Sequence, residues 1–219
     1  MTHAQGRSAA LVARQAGALD AACGCRFIRD AVGGTLSDDD FARYLLIEES
    51  FVLTAARVLG RVVWDSTTWE TLLPSARSLT NLVTDQRSYF GALRDRWPVS
   101  EDEATRTAAR AAVLSDVVLA QVREGGRPAA VTGMLAAETM YARWCTAAAA
   151  APQAARSRRQ PDLQAWIDLH TQPEFLGQVT ALEADVDRLG EDVADDGDLD
   201  RWFAGVLEAE IAFHDAVRS

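Results

Sequence analysis

Disulfide chemistry has little to work with in this chain. Three cysteines in 219 residues form an odd set, and Cys23-Gly-Cys25 lacks the two-residue spacer of paired zinc thiolates. Cys23, Cys25 and Cys145 therefore read as reduced thiols. Long apolar runs are also missing. No stretch approaches the roughly 20 apolar residues that a membrane helix needs, and the opening MTHAQGRSAALVARQ has no continuous apolar core of a secretory leader. The expectation is a cytoplasmic protein with no membrane partner. Positive charge is in deficit: the formal net charge is −10, whereas nucleic-acid binders display a basic stripe, so no nucleic-acid partner is expected. Three histidines leave few nitrogen ligands for a metal. Strand-like alternation is nearly absent.

What remains is a chain of ordinary globular composition, 48% hydrophobic and 25% charged, long enough for one large core. Residues 1–219 read as a single domain. Helical periodicity punctuated by loop signals makes it all-α, with about seven to eight helices. The first helix should run to about Val32 and stop at Gly33-Gly34. Ser37 caps the second, with Asp38, Asp39 and Asp40 on the positive end of its dipole. That helix should reach about Val63. A third carries Leu79, Leu82, Val83, Tyr89, Phe90 and Leu93 before Pro98. Ser100 with Glu103 opens a fourth, which ends near Gly125-Gly126, and Pro128 suits the first turn of a fifth. Pro152–Pro161 reads as a polar connection, its Arg156-Ser157-Arg158-Arg159 cluster solvated. Trp166-Ile167-Asp168-Leu169 starts a short helix, another runs from about Pro173 to Leu189, and Asp195–Asp198 precedes the last.

Three glutamates stand on faces that should be apolar. In the second helix the ladder from Phe41 through Tyr44 and Leu45 lands on Glu48. In the fifth, Val131, Met134, Leu135 and Tyr141 surround Glu138. In the last, Phe203, Val206, Leu207, Phe213 and Val217 surround Glu210. Removing an ionised carboxylate from water costs several kcal/mol unless it is paired. Arginine pairing would answer for each glutamate singly. The alternative is that three helices aim them into one polar cavity, where burial and like charge raise their pKa values toward acid and base work. Tyr141 lies on the side of Glu138, and His170 and His214 stand where either could reach such a cavity.

The stretch FIRDAVGGTLSDDDFARYLLIEESFVLTAARVLGRVV, from Phe27 to Val63, resembles the opening of TenA/thiaminase II proteins, with Ala31 in place of a branched residue and Cys25-Arg26-Phe27 where relatives commonly read His-Pro-Phe. MLAAETMYARWC, WIDLHTQPEF and VLEAEIAFHDAV resemble later segments of that family, in the same order. The resemblance implies a heme-oxygenase-like helical bundle, a homo-oligomer (dimer or tetramer), no cofactor, and a pocket for a small pyrimidine ligand. It implies hydrolysis of aminomethylpyrimidines in thiamin salvage. By the same resemblance Glu48 holds the pyrimidine edge, Phe51 stacks on the ring, and His170 and Phe213 complete the substrate site. Glu210 is the acid, Glu138 the base or water positioner, and Tyr141 orients water or Glu210. The family's nucleophilic cysteine falls on Ala137, so the match is to the branch with a glutamate in that vicinity, and Cys145 lies on the far side of Tyr141. Two rivals stay open: a repurposed, non-catalytic binding protein, and a metal-dependent oxidase, although Glu210 and His214 lack the Glu-x-x-His spacing of di-iron bundles. No metal ligand is assigned.

Overall fold

The computed structural model describes residues 6–218, and its helices can be read from their ends. The segment expected as one helix to Val32 is three: α1 (Arg7–Arg14), α2 (Ala16–Cys23) and α3 (Arg26–Gly33). Gln15 and Gly24 interrupt the ladder, and Gly24 takes φ −92°, ψ 3°. The third stops at Gly34, which adopts φ +67° with its N–H bonded back to Ala31. A Cβ there would lie 2.1 Å from the Ala155 carbonyl oxygen, so glycine is required twice over, by conformation and by space. α4 (Asp38–Trp64) begins where Ser37 accepts the Asp40 N–H at 3.1 Å.

The next apolar segment is not one continuous α-helix. α5 (Trp69–Asn81) passes into a π turn, Leu82–Gln86, and then into α6 (Arg87–Arg96). The wider π turn shifts the helical register. Leu82, Phe90 and Leu93 thus stay buried while Val83 is turned out to solvent, and the expected single third helix is α5, a π turn and α6 in succession. α7 (Glu101–Ala149) contains both central helices, bent at Gly126 with φ +59°, ψ −140°, so the expected break falls at the expected glycine. Asp65 Oδ2 accepts the Arg127 N–H beyond the bend at 3.1 Å. A single-turn α8 (Gln153–Arg156), α9 (Pro161–Leu169), α10 (Pro173–Asp187) and α11 (Asp196–Asp215, capped by Asp195) follow. Trp166–Leu169 therefore closes a short helix and does not open one.

α7 is the central element, packed most extensively against α11 and α4. Phe27, Phe41, Tyr44, Phe90, Trp144 and Phe203 are wholly buried around it, each worth roughly 1.5–3 kcal/mol of transfer free energy. The Arg156–Arg159 cluster is not a solvated loop. Arg159 is buried and donates to the carbonyls of Ala31 (2.9 Å), Val32 (2.7 Å) and Ala148 (2.9 Å), and Arg158 donates to Gly33 and Gly34. One guanidinium thus supplies further donors to the C-terminal carbonyls of α3 and α7 together. Among the described residues no helix is long and apolar enough to cross a membrane, and Cys23, Cys25 and Cys145 are free thiols.

Candidate active site

Glu48 is carried by α4, Glu138 and Tyr141 by the second limb of α7, Glu210 by α11 and His170 by the C-terminus of α9. These elements surround one cavity of about 440 Å³, and its walls include all seven residues singled out in the sequence: Glu48, Phe51, Glu138, Tyr141, His170, Glu210 and Phe213. Ala137 also faces it, whereas Cys145 is buried elsewhere. Arginine does not pair with these glutamates: the cavity wall contains no basic side chain other than His170, and the chain has no lysine at all.

The carboxyls differ in surroundings. Glu48 Oε1 accepts the Tyr141 hydroxyl at 2.5 Å. Burial pushes Glu48 up to about 7, with the hydrogen bonds of Tyr141 and Tyr44 working against the rise. Glu138 is half-buried, its carboxyl open to the cavity, and burial followed by the charge of Glu48 raises it to about 7. Glu210 is the deepest, 3% exposed. Burial, then Glu48, then Glu138 hold it well above the carboxylate range. Its Oε2 finds no hydrogen-bond partner among the described residues. Oε2 does lie 3.5 Å from His214 Nδ1, but that nitrogen is 2.8 Å from the Glu210 backbone carbonyl. Burial lowers His214 to about 4, so the imidazole is neutral and the pair is not an ion pair. Like charges in one dry site cannot all ionise together, so the three glutamates titrate as a set.

Behind the carboxyls runs a chain of hydrogen bonds. Trp166 Nε1 lies 3.0 Å from the Tyr44 hydroxyl, which lies 3.3 Å from that of Tyr141. An indole can only donate. Tyr44 therefore accepts from Trp166 and has its own proton to share with Tyr141 or Glu48, while Tyr141 donates to Glu48. Tyr141 is thus tied to Glu48, whereas the resemblance implied that it orients water or Glu210. His170 faces the cavity with Nδ1 2.8 Å from the Trp166 carbonyl. Burial lowers it to about 4, so Nδ1 holds the proton and Nε2 remains an acceptor. Phe51 and Phe213 meet edge to face at 5.9 Å.

His214, by contrast, lies behind the wall, its Nε2 3.5 Å from the Tyr141 hydroxyl. Tyr44 and Trp166 are the residues that periodicity alone passed over. Each stands four positions before a site residue, Glu48 and His170, and so shares its face. Among the described residues no group of three or more His, Cys, Asp or Glu side chains is placed to hold a metal ion. A cavity with three carboxyls raised above their usual range and two aromatic rings in its wall has the groups that acid–base chemistry needs.

Comparison with known proteins agrees with the fold. The TenA homologue from P. horikoshii OT3 superposes with a TM-score of 0.82 at 16% identity, over 97% of this chain and 98% of its own. A TenA family transcription regulator from Silicibacter sp. TM1040 gives 0.79 at 17%, over 100% of both. A TenA-like thiaminase candidate from Sulfolobus solfataricus P2 gives 0.68 at 16%, over 95% of this chain and 93% of its own. No curated protein matches the sequence significantly. The sequence profile of the TENA/THI-4/PQQC family matches residues 26–219, a span that contains every cavity carboxylate and the tyrosine and tryptophan behind them, and this chain belongs to that family.

Proposed function

We propose that this protein is an aminopyrimidine hydrolase of thiamin salvage, acting in the cytoplasm on aminomethylpyrimidine breakdown products. The observation that carries the reading is the convergence of Glu48, Glu138 and Glu210 from three helices on one cavity, next to Ala137 where a thiol nucleophile would otherwise stand. Family membership and a relative named as thiaminase-like support the thiamin connection.

Without a thiol, water must be the nucleophile. Glu138, the more exposed of the raised carboxyls, takes a proton from a water as its oxygen bonds to the exocyclic methylene carbon. The carbon–nitrogen bond breaks, and Glu210, the carboxyl that holds its proton most firmly, gives that proton to the departing amine. The products are a hydroxymethylpyrimidine and ammonia or an amine. Glu48, anchored by Tyr141, is left with Oε2 to meet the aminopyrimidine edge. Phe51 and Phe213 flank the ring.

Incubation with 4-amino-5-aminomethyl-2-methylpyrimidine, followed by mass detection of the alcohol, tests the reading. Thermal stabilisation by that compound without any turnover would instead support a binding protein, the reading favoured by Ala137 alone. The homo-oligomer is likewise a proposal. Leu53, Trp64, Trp69 and Leu73 form exposed apolar surface on α4 and α5, suited to a second copy, and a monomeric mass by light scattering would remove it.

A further inference from the structure

The three glutamates occupy one end of the cavity, with Asp85 and Asp185 elsewhere on its wall. Along α4 the wall is formed by Glu48, Val52, Ala55, Leu59 and Val62, spaced four, three, four and three residues, which is one continuous helix face. At 1.5 Å per residue, Glu48 to Val62 covers about 21 Å. α7 supplies the facing wall from both its limbs. Leu114, Val118 and Val122 approach the Gly126 bend, and Ala129, Gly133 and Ala137 lead away from it toward Glu138. Beyond Val52 the α4 wall is wholly apolar, and Ala55, Ala129, Gly133 and Ala137 keep the space open where larger side chains would fill it. The exposed rim, at Ser78, Asn81 and Asp85, belongs to α5 and the π turn, a type of helical irregularity frequent at functional sites.

A single pyrimidine ring spans about one third of that length, and the α4 face beyond Val52 offers it no hydrogen bond, the polar side chains of the remaining wall, Gln121 and Ser75 among them, standing on the facing elements. The geometry points to a head-and-tail substrate: a nitrogen heterocycle held at Glu48, Glu138 and Glu210, with an apolar chain on its departing nitrogen lying along α4 from Val52 to Val62. The identity of the head rests on the hydrolase reading above. The tail rests on the shape and chemistry of the wall. An anionic head is excluded by the same surroundings, since three carboxyls and no arginine or lysine face it. In the step implied, water oxygen bonds to the exocyclic methylene carbon, the bond to nitrogen breaks, and the nitrogen leaves with a proton as an alkylamine.

The test is a series of 4-amino-5-aminomethyl-2-methylpyrimidines carrying ethyl, butyl and octyl groups on the exocyclic nitrogen, read by release of the alkylamine and by thermal shift. Affinity is expected to rise about two- to fourfold for each added methylene. Ala55→Phe, and independently Val118→Phe from the facing wall, should bring the octyl-to-ethyl ratio in each variant close to one. Two variants on different helices guard against one failing to fold. If the unsubstituted compound is turned over but chain length gives no gain, the tail is overturned and the hydrolase reading stands. If octyl compounds stabilise the protein and none of the series is hydrolysed, the tail site stands and the hydrolase reading falls. A flat thermal response across the whole series overturns the tail proposal.

Discussion

The Tyr141 hydroxyl donates to Glu48 Oε1 at 2.5 Å across the boundary between α7 and α4, and Tyr44 and Trp166 continue that chain of hydrogen bonds behind it. Glu48 is therefore held by one oxygen and free at the other. Tyr141→Phe removes the larger of the two tyrosine hydrogen bonds that favour the ionised form, so the Glu48 pKa should rise above about 7. KM for the aminopyrimidine should increase more than kcat falls, and the pH profile should move alkaline. Tyr44→Phe, one step further back, should produce the same change at reduced amplitude. Equal effects of the two variants on kcat alone would contradict the chain.

The acid and base are separable by substitution. Glu210→Gln keeps the shape of the site and removes the proton donor, so kcat for aminomethylpyrimidine should fall by about 10²–10⁴ with substrate affinity within a few-fold. Glu138→Gln should lower kcat similarly and abolish the limb on which activity rises as pH passes about 7. Unchanged turnover in Glu210→Gln would remove it from the mechanism.

Stability should record the same carboxyl. Between the ordinary value of 4.5 and about 7 the folded protein holds a proton on Glu138 that the unfolded chain has lost. This group's contribution is complete below pH 4.5 and disappears as pH rises through 7. His170 and His214, both lowered to about 4, act the opposite way: their contribution is present above 6.5 and lost as pH falls through 4. The wild-type curve is flattened by this opposition, so the informative quantity is a difference. Glu138→Gln should gain on wild type between pH 5 and 8, by on the order of 1–2 kcal/mol once water in the cavity is allowed for. Parallel curves from denaturant melts would refute it.

Arg159 gives a test of the fold apart from the site. Arg159→Met keeps an unbranched apolar stem but removes the guanidinium that bonds the carbonyls of Ala31, Val32 and Ala148. A loss of about 3 kcal/mol or more is expected, seen as a lower urea midpoint with the slope unchanged.

Much of this was legible in the residues because its causes are local. Ser37, Ser100 and Asp195 mark helix starts by chemistry within three residues, Gly34 and Gly126 mark stops and bends by the backbone they permit, and a period of 3.6 is enough to show Glu48, Glu138 and Glu210 on apolar faces. The splits at Gln15 and Gly24 and the π turn at Leu82–Gln86 were not legible, since these short segments seat on elements distant in sequence, α1 on α10, α2 on α11 and the π turn on α4. Arg159 was misjudged for a related reason. Its sequence neighbours are polar, but its partners lie on α3 and α7.

By itself, then, the sequence determined the helices, their caps and the three displaced carboxylates, because these depend on contacts between residues a turn apart. Only the tertiary structure decided that Tyr141 serves Glu48 and not Glu210, that His214 stands behind the wall while His170 faces the cavity, and that the space continues along α4 to Val62. Those depend on how helices distant in sequence are rotated against one another, and no periodicity within a single helix contains that angle.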